Sequence, residues 1–334
     1  MNDIEAIDLI LNAHSYVDVF DYNLDKDRYR MLVKLVHPDH SSNPKAHIAF
    51  TKLQKLYENG ERGVRFTLKS KRNEYDLTSL LAMGDHATLF KGFKEHQPII
   101  AKMVRESKDN DLMERESIAL KTLASGYEWM EWAPFFPELV ETFRHRDHNT
   151  KIVRRVHIFN DDGLEWFTLK QIREAHPEGL NPKDAAWMWR RLLIVLAYTH
   201  DNKVIHGGVI PTHVLIQPEF HGLRLVDWCY SSTDSKSIPA IVRDFKMCYP
   251  YEVKAKEKPG PETDIYMATR TMEYVMGDKI NRPLRAFIQG CILESRKSRP
   301  HSAGRLHDEF VDLIERLWGK RKFRAFKMPD SYRR

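Results

Sequence analysis

Apolar residues in the first 60 positions recur at the spacing of an α-helix. Two apolar stripes consist of Tyr29, Leu32, Val33 and Val36, and then of Ala46, Ala49, Phe50, Leu53 and Tyr57. These stripes predict helices over about 27–36 and 44–59, and Gly60 follows the second helix as a stop signal. Two antiparallel amphipathic helices can bury their stripes against each other. The pattern therefore predicts a small all-α domain over residues 1–60, with the turn between the two helices at its tip.

The pattern changes after residue 60. Residues 61–74 are charged and have little apolar periodicity, which is typical of a linker with at most one short strand. Short β-like runs follow, among them strand, turn and strand over 80–91 and a third strand over 99–104, and long helical segments come afterwards. Strands followed by helices favour an α+β fold with a sheet-rich front and a helical back.

The net charge of +6 lies in one place. Residues 319–334 contain seven basic side chains and one aspartate, so the rest of the chain is neutral overall. A basic tail is able to contact nucleic acid, an acidic partner or anionic lipid, and a solvated, partly disordered terminus is the alternative. Its charge is the only sequence feature that supports nucleic-acid binding.

Cysteine spacing and hydropathy indicate the compartment. Cys229, Cys248 and Cys291 have no paired spacing, which argues against a thiolate metal site and for a reducing environment. No apolar run approaches the roughly 20 residues of a membrane helix, and the N-terminus has no secretory pattern. We therefore expect a cytoplasmic protein with no membrane contact.

The turn between the two predicted helices reads His37-Pro38-Asp39, and the helix before it carries Arg28, Arg30 and Lys34. A basic helix, this triplet and an apolar-striped helix over about 25–59 resemble a J domain, the module that stimulates ATP hydrolysis by DnaK-type chaperones. The resemblance implies that the triplet and the three basic residues dock on such a chaperone. A compact first helix, usual in that family, is not evident in residues 1–24. A helical hairpin with an incidental loop is the alternative.

The third predicted strand carries Lys102 near its end, and Glu116 lies 14 residues later in a predicted helix. A lysine that meets two phosphates needs a carboxylate to hold its flexible stem, and Glu116 is suitably spaced for that role. A pair of this kind is more often a surface ion pair, so the interpretation depends on the downstream motifs.

Those motifs occur in a recognisable order. After a predicted helix over 187–202 come His206-Gly207-Gly208, two short strands ending in Asp227, then Tyr249-Pro250-Tyr251-Glu252, Asp264 at a helix start, and Arg299-Pro300. This order resembles that of protein kinases over about 75–318. The resemblance implies two lobes, about 75–158 and 159–318, with Asp264 holding the catalytic loop and Arg299 pairing with Glu252. It also implies ATP and Mg²⁺ as ligands, with Gly84, Lys102 and Glu116 near the nucleotide and Asp227 on the metal.

The same resemblance marks what is missing. Gly208 stands where a kinase has its catalytic aspartate, Ile210 replaces the loop lysine, and His213 replaces the asparagine that holds a second metal ion. His213 is at best a weak metal ligand, because imidazole suits Mg²⁺ poorly. His206 is expected to be a structural histidine bound to a backbone carbonyl.

Two functions are consistent with a J-like segment joined to a kinase-like domain that retains some kinase residues and lacks others. The first is a J-domain co-chaperone-like protein whose degenerate kinase domain, a pseudokinase, binds an unknown client protein or a nucleotide. The alternative is an active, atypical serine/threonine-kinase-like phosphotransferase that uses ATP and takes its base from elsewhere, for example from Asp201 or from the substrate.

Overall fold

A computed structural model provides the structure of the 334-residue chain. It describes residues 1–13, 16–20, 26–61, 66–126, 128–147, 151–234, 236–320 and 322–332. The chain divides into two compact units, the first made of Met1–Asn110 and Val140–Asp162 and the second of Asp111–Leu139 and Gly163–Arg334. Within the described ranges, no helix is both long and apolar enough to cross a membrane.

The first unit begins with four helices. They are α1 (Asp3–Asn12), α2 (Val17–Phe20), α3 (Lys26–Val36) and α4 (Ala46–Glu61). The two helices predicted from the apolar stripes correspond to α3 and α4 and are confirmed. The predicted stop at Gly60 is wrong, because α4 continues through Gly60 to Glu61. Helix α1 lies within residues 1–24, where a first helix is not evident from the sequence. Its start is set by a capping box, in which Asn2 Oδ1 accepts from the Glu5 N–H at 2.9 Å and the Asn2 N–H donates to Glu5 Oε2 at 3.0 Å.

These helices enclose a hydrophobic core of their own. Its fully buried members include Ile7 and Ile10 of α1, Leu32 of α3 and Leu53 of α4. Both predicted stripes face this core, and the rings of Tyr29 and Tyr57 stack with centroids 3.9 Å apart. Residues 21–25, where the J-like segment is predicted to begin, and residues 62–65 of the predicted linker lie outside the described residues.

The first unit also contains a six-stranded sheet in the order β1-β2-β3-β4-β6-β5. Its strands are β1 (Phe66–Lys69), β2 (Glu74–Met83), β3 (Ala87–Lys94), β4 (Gln97–Val104), β5 (Leu139–Arg146) and β6 (Val153–Asn160). The strand pairs from β1 to β4, and β4 with β6, are antiparallel. Strand β1 falls in the predicted linker, and the predicted strand, turn and strand over 80–91 correspond to β2 and β3. Alternate residues of β2 and β4, such as Tyr75, Leu77, Ile99 and Ala101, point into a second core.

The second unit is mostly helical. Its helices are α5 (Asn110–Ala124), α6 (Trp129–Trp132), α7 (Leu169–Ala175), α8 (Pro182–Asp201), α9 (Tyr251–Lys254), α10 (Pro261–Met276), α11 (Arg282–Cys291) and α12 (Ala303–Trp318). A small antiparallel sheet contains β7 (Phe167–Thr168), β8 (Val214–Gln217) and β9 (Gly222–Leu225). Its short 3₁₀ turns span Ala133–Phe135, Trp228–Tyr230, Arg243–Cys248, Gly277–Lys279, Arg296–Ser298 and Asp330–Tyr332, and a further one, Ser107–Asp109, belongs to the first unit. Helix α8 is the centre of this unit, with Trp189, Leu192 and Leu196 fully buried.

The basic C-terminal segment differs from the expected solvated terminus. Phe326 and Met328 are buried, the Arg324 Nε donates to Asp184 Oδ1 at 2.7 Å, and the Arg324 carbonyl oxygen lies 2.7 Å from His221 Nε2. Two apolar residues two positions apart therefore anchor the segment to the second unit. Three of its basic residues, Arg321, Arg333 and Arg334, lie outside the described residues.

Candidate functional site

Two of the predicted nucleotide-site residues, Gly84 and Lys102, belong to the first unit. Gly84 follows β2, and its N–H donates to the Ala87 carbonyl at 2.9 Å, which closes the turn into β3. Lys102 lies on β4 opposite Leu89 of β3 and His157 of β6, and it is buried. Because an ammonium group is costly to bury unless it is paired, Lys102 differs from an ordinary solvated surface lysine.

In the second unit, Asp264 near the start of α10 holds the loop that carries His206. One carboxylate oxygen of Asp264 accepts from the His206 N–H and the other from the Gly207 N–H, both at 2.8 Å. His200 Nε2 lies 3.1 Å from the same carboxylate. Asp264 is fully buried, so these bonds satisfy a charge that would otherwise be costly. The predicted role of Asp264 in holding the loop is confirmed.

His206 is a neutral, structural histidine. Its Nδ1 accepts from the Gly208 N–H at 3.1 Å, so its Nε2 carries the hydrogen and donates to the Val226 carbonyl at 3.1 Å. The side chain is fully buried, and this burial lowers the pKa of His206 to about 4. The predicted bond to a backbone carbonyl is confirmed.

The two glycines after His206 leave room for Tyr230. Gly207 has a φ of +69°, which favours glycine, and a Cβ there would stand 2.6 Å from the Tyr230 carbonyl oxygen. A Cβ on Gly208 would stand 3.1 Å from Tyr230 Cδ2 and 3.3 Å from His213 Nδ1. The ring of Tyr230 in turn stacks on the ring of His213 with centroids 5.5 Å apart. Tyr230 and His213 thus closely border Gly208, where the kinase resemblance expects an aspartate. Tyr230 is a residue that the sequence motifs do not single out.

Asp227 begins the turn after β9 in a left-handed conformation, with φ 63° and ψ 63°. Its carboxylate lies 3.1 Å from His213 Nε2, and its side chain is 28% exposed. Glu116 of α5 accepts from the Trp228 N–H at 3.1 Å and lies 3.7 Å from the sulfur of Cys229. Donor atoms of Glu116, Asp227 and Cys229 all lie within 4.8 Å of one another. The second unit therefore gathers two carboxylates, a thiol and an imidazole, and only the two carboxylates and the imidazole were singled out from sequence.

A buried ion pair ends the segment that follows. The Arg299 Nη1 donates to Glu252 Oε1 at 2.7 Å, and the Thr263 hydroxyl donates to the same oxygen at 3.2 Å. The Arg299 Nε also donates to the Leu293 carbonyl at 2.6 Å. The predicted pairing of Arg299 with Glu252 is confirmed.

The triplet His37-Pro38-Asp39 lies in the turn between α3 and α4. The Asp39 N–H donates to His37 Nδ1 at 3.2 Å, and the His37 ring packs edge-on against Phe50 with centroids 5.1 Å apart. The Asp39 side chain is 82% exposed, and Pro38 is also exposed. The loop therefore has an anchored imidazole and an accessible carboxylate.

The three predicted basic residues of α3 have different environments. Arg30 and Lys34 are exposed, whereas Arg28 is half-buried. The Arg30 Nη1 lies 3.3 Å from Asp27 Oδ1, and both side chains are exposed, so this pair is weak and easily exchanged for another partner.

Comparisons with known proteins support the kinase-like fold that the order of motifs predicts. No family model matches this chain. The chain is similar to the structure of vaccinia related kinase 3, with a TM-score of 0.59 and 12% identity over 76% of this chain and 91% of that one. It is also similar to the crystal structure of the BubR1 kinase domain, with a TM-score of 0.56 and 10% identity over 76% of this chain and 84% of that one. The chain therefore has an α+β, protein-kinase-like fold.

Proposed function

We propose that this chain is a pseudokinase-type binding protein whose N-terminal helices recruit a DnaK-type chaperone. Its kinase-like part then binds a client protein or a nucleotide and does not transfer phosphate efficiently. The observation that carries the proposal is Gly208: the position of the catalytic base has no side chain, and Tyr230 fills the adjoining space.

The reduction in reaction rate that is expected without a catalytic base supports a binding role. A general base contributes roughly 10²- to 10⁴-fold to the rate, and kinases turn over at about 1–100 per second. Without a base, turnover falls to roughly 10⁻⁴ to 1 per second before any further cost. Since Ile210 and His213 replace two more residues of the kinase loop, the expected activity is lower still.

Nucleotide binding rests on the residues that are retained. The kinase resemblance assigns the ATP phosphates to Lys102, which is buried on β4, and Mg²⁺ to Asp227, whose carboxylate is partly exposed. A carboxylate is a suitable Mg²⁺ ligand, and Mg²⁺ commonly keeps several waters beside one or two carboxylates and the substrate phosphates. When bound, the ion would neutralise phosphate charge. His213 is a poor second ligand for Mg²⁺, so we expect one Mg²⁺ ion at most.

A thermal shift experiment tests this part of the proposal. ATP at 100 times its dissociation constant stabilises the folded state by about 2.7 kcal/mol, which raises the melting temperature measurably. Lys102→Ala should reduce the shift, whereas Lys91→Ala, at an exposed position on β3, should leave it unchanged. An unchanged melting temperature of the wild-type protein with saturating Mg-ATP would contradict nucleotide binding.

The chaperone part of the proposal rests on the tip between α3 and α4. The exposed Asp39 and Pro38, the anchored His37 and the exposed Arg30 and Lys34 are the features that the J-domain resemblance assigns to docking. Screening acts over about 8–10 Å at 0.10–0.15 M ionic strength, so a contact made through exposed charges should weaken as salt rises.

The test uses the full chain and a DnaK-type chaperone from the same host. Wild-type protein should stimulate chaperone ATP hydrolysis, and His37→Gln should abolish that stimulation. His40→Gln is a matched control, because His40 is an exposed histidine in the same turn with its ring 5.7 Å from that of His37. If both variants, or neither, lose stimulation at low salt, the triplet has no specific docking role.

The alternative, an active atypical phosphotransferase, needs another base. Asp201 is the last residue of α8 and lines a cleft of about 540 Å³ together with Trp132 and His307. The described residues that line this cleft do not include any from the loop over 206–213, which is where a kinase performs catalysis. Asp201 is therefore a weak candidate, and the substrate would have to supply the base. Phosphorylation of a generic substrate that disappears with Asp227→Ala would favour this alternative. Nucleic-acid binding by the C-terminal segment rests on its charge alone, and one of its basic side chains, Arg324, is paired with Asp184.

A further inference from the structure

The cleft of about 540 Å³ that contains Asp201 combines acidic and aromatic side chains within the second unit. Its chemistry comes from three carboxylates and three rings: Glu128, Asp201, Asp308, Trp132, Tyr198 and His307. Among the described residues that line it, there is no lysine or arginine. We propose that this cleft binds the guanidinium group of an arginine side chain in an extended segment of a partner protein. The inference goes beyond the proposed function, because it names a side chain that the partner presents.

Two helices position most of the cleft. Helix α8 contributes four lining residues at the spacing of one helical face: Ile194, Ala197, Tyr198 and Asp201. Helix α12 contributes three at the same kind of spacing: Gly304, His307 and Asp308. A Cβ on Gly304 would stand 3.7 Å from the Ala197 Cβ, so two small residues face each other where the helices meet. Because neither has a long side chain, the space between the helices stays open to a ligand.

The charge of the cleft favours a cation. Glu128 and Asp201 are exposed, and the Asp308 side chain is 81% exposed. Three carboxylates in one cleft create a negative potential that concentrates cations there. Each exposed ion pair contributes little by itself, so a ligand that binds specifically needs further contacts.

A stacked pair of rings supplies such a contact. The ring of Trp132 stacks on that of Tyr198 with centroids 4.8 Å apart and an interplanar angle of 18°. The Tyr198 hydroxyl donates to the Leu123 carbonyl at 2.8 Å, which fixes the lower ring of the pair. A guanidinium is planar, stacks on an indole and presents five donors, whereas an ammonium is a compact, strongly hydrated charge. The cleft therefore favours arginine over lysine.

His307 provides an independent sign of a bound donor. Its Nδ1 lies 3.0 Å from Asp308 Oδ1, a carboxylate oxygen that accepts, so Nδ1 carries a hydrogen. Its Nε2 is buried and has no hydrogen-bond partner within the part of the chain that the structure describes. A buried polar atom without a partner is costly. In the neutral ring Nε2 is an acceptor, and an N–H of a guanidinium in the cleft would satisfy it.

Titration of the full chain with a blocked pentapeptide, one arginine among four glycines, provides the test. The titration is done without nucleotide and at low salt, and ligand-observed NMR detects weak binding. We expect saturable binding that weakens as salt rises. The same peptide with citrulline has nearly the same shape without the charge and should bind at least ~10-fold more weakly. A lysine peptide should also bind more weakly, and so should free arginine, whose own carboxylate is repelled by the cleft.

Variants of the lining residues locate the binding. Asp201→Asn and Asp308→Asn should each weaken binding of the arginine peptide by roughly 2- to 5-fold, the range of an exposed ion pair. Trp132→Leu should weaken it by about the same factor through the loss of stacking. Glu309→Gln is the matched control, because Glu309 is an exposed carboxylate next to Asp308 on α12 that does not line the cleft.

Three results with the wild-type protein would overturn the inference: no saturable binding of the arginine peptide, equal binding of the citrulline peptide, or tighter binding of free arginine than of the peptide. Equal effects of Asp201→Asn and Glu309→Gln would overturn it as well. If Trp132→Leu does not fold, the two aspartate variants decide the matter, since both side chains are exposed. Because neither nucleotide nor chaperone is present, a failure here is separate from a failure of ATP binding or of chaperone recruitment.

Discussion

The ring of Tyr230 lies directly beside the α-carbon of Gly208, where a Cβ would stand 3.1 Å from Tyr230 Cδ2. Real Cβ atoms rarely come this close to a neighbour without displacing it, and Tyr230 is itself stacked on His213. The position where the kinase resemblance expects a catalytic aspartate is therefore closely bordered by the packed ring of Tyr230. An aspartate placed there would require this ring to move.

Gly208→Asp should consequently destabilise the protein without creating a kinase. Overpacking a well-filled position costs typically about 1–3 kcal/mol, which denaturant unfolding measures. Gly290→Asp is the matched control, since Gly290 lies on the exposed surface of α11 and a Cβ there would meet no atom within 4 Å. Its unfolding free energy should change less than that of Gly208→Asp.

A second variant separates packing from chemistry. Tyr230→Ala is destabilising in its own right because this side chain is buried, so the comparison is a double-mutant cycle: Gly208→Asp should lower the unfolding free energy less in the Tyr230→Ala background than in the wild-type background. Equal stability of Gly208→Asp and wild type, or an equal cost of Gly208→Asp in the two backgrounds, would contradict the role assigned to Tyr230.

The ion pair between Arg299 and Glu252 should be important for stability. Both side chains are at most 3% exposed, and removing one partner of a buried pair costs about 3–5 kcal/mol because the other charge stays buried. Arg299→Met should lower the unfolding free energy by this amount. Lys170→Met breaks an ion pair with Glu174 in which both side chains are more than 40% exposed. Exposed pairs contribute about 0–1 kcal/mol, so similar losses in the two variants would contradict the prediction.

His206 should make the protein less stable in mild acid. Its pKa falls from an ordinary value of 6.5 to about 4 on burial, so between these values the unfolded chain binds a proton that the folded chain does not. The unfolding free energy should therefore decrease as pH falls from about 6.5 to 4, by on the order of 3 kcal/mol. Denaturant unfolding in the presence of a chelator measures this dependence. His206→Gln, which keeps a donor for Val226, should show a shallower slope, and an unchanged slope would assign the effect to other groups.

The C-terminal segment should contribute to folding through Phe326. This side chain is 6% exposed, and truncating a buried phenylalanine costs about 3–5 kcal/mol. Phe326→Ala should lower the melting temperature clearly, while Lys327→Ala at the exposed next position should not. A melting temperature that is the same in both variants and in wild type would indicate a segment that does not pack in solution.

Much of this architecture is visible in the sequence, because it depends on local order. The stripes containing Leu32 and Leu53 predict α3 and α4, since helical spacing alone decides which residues share a face. The kinase resemblance, which rests on the order of short motifs, implies that Asp264 anchors the loop and that Arg299 pairs with Glu252, and both contacts are present. The same resemblance implies the replacement at Gly208.

Tertiary structure alone decided what surrounds those residues. Tyr230 fills the space beside Gly208, and Cys229 meets Glu116 more than 100 positions away, through contacts that no local spacing encodes. Phe326 and Met328 appear in a basic segment whose composition suggests solvation, yet they are buried. The sequence by itself determines periodicity, caps and motif order. Side-chain packing determines which distant residues share a site, because burial and hydrogen bonding act between neighbours in space.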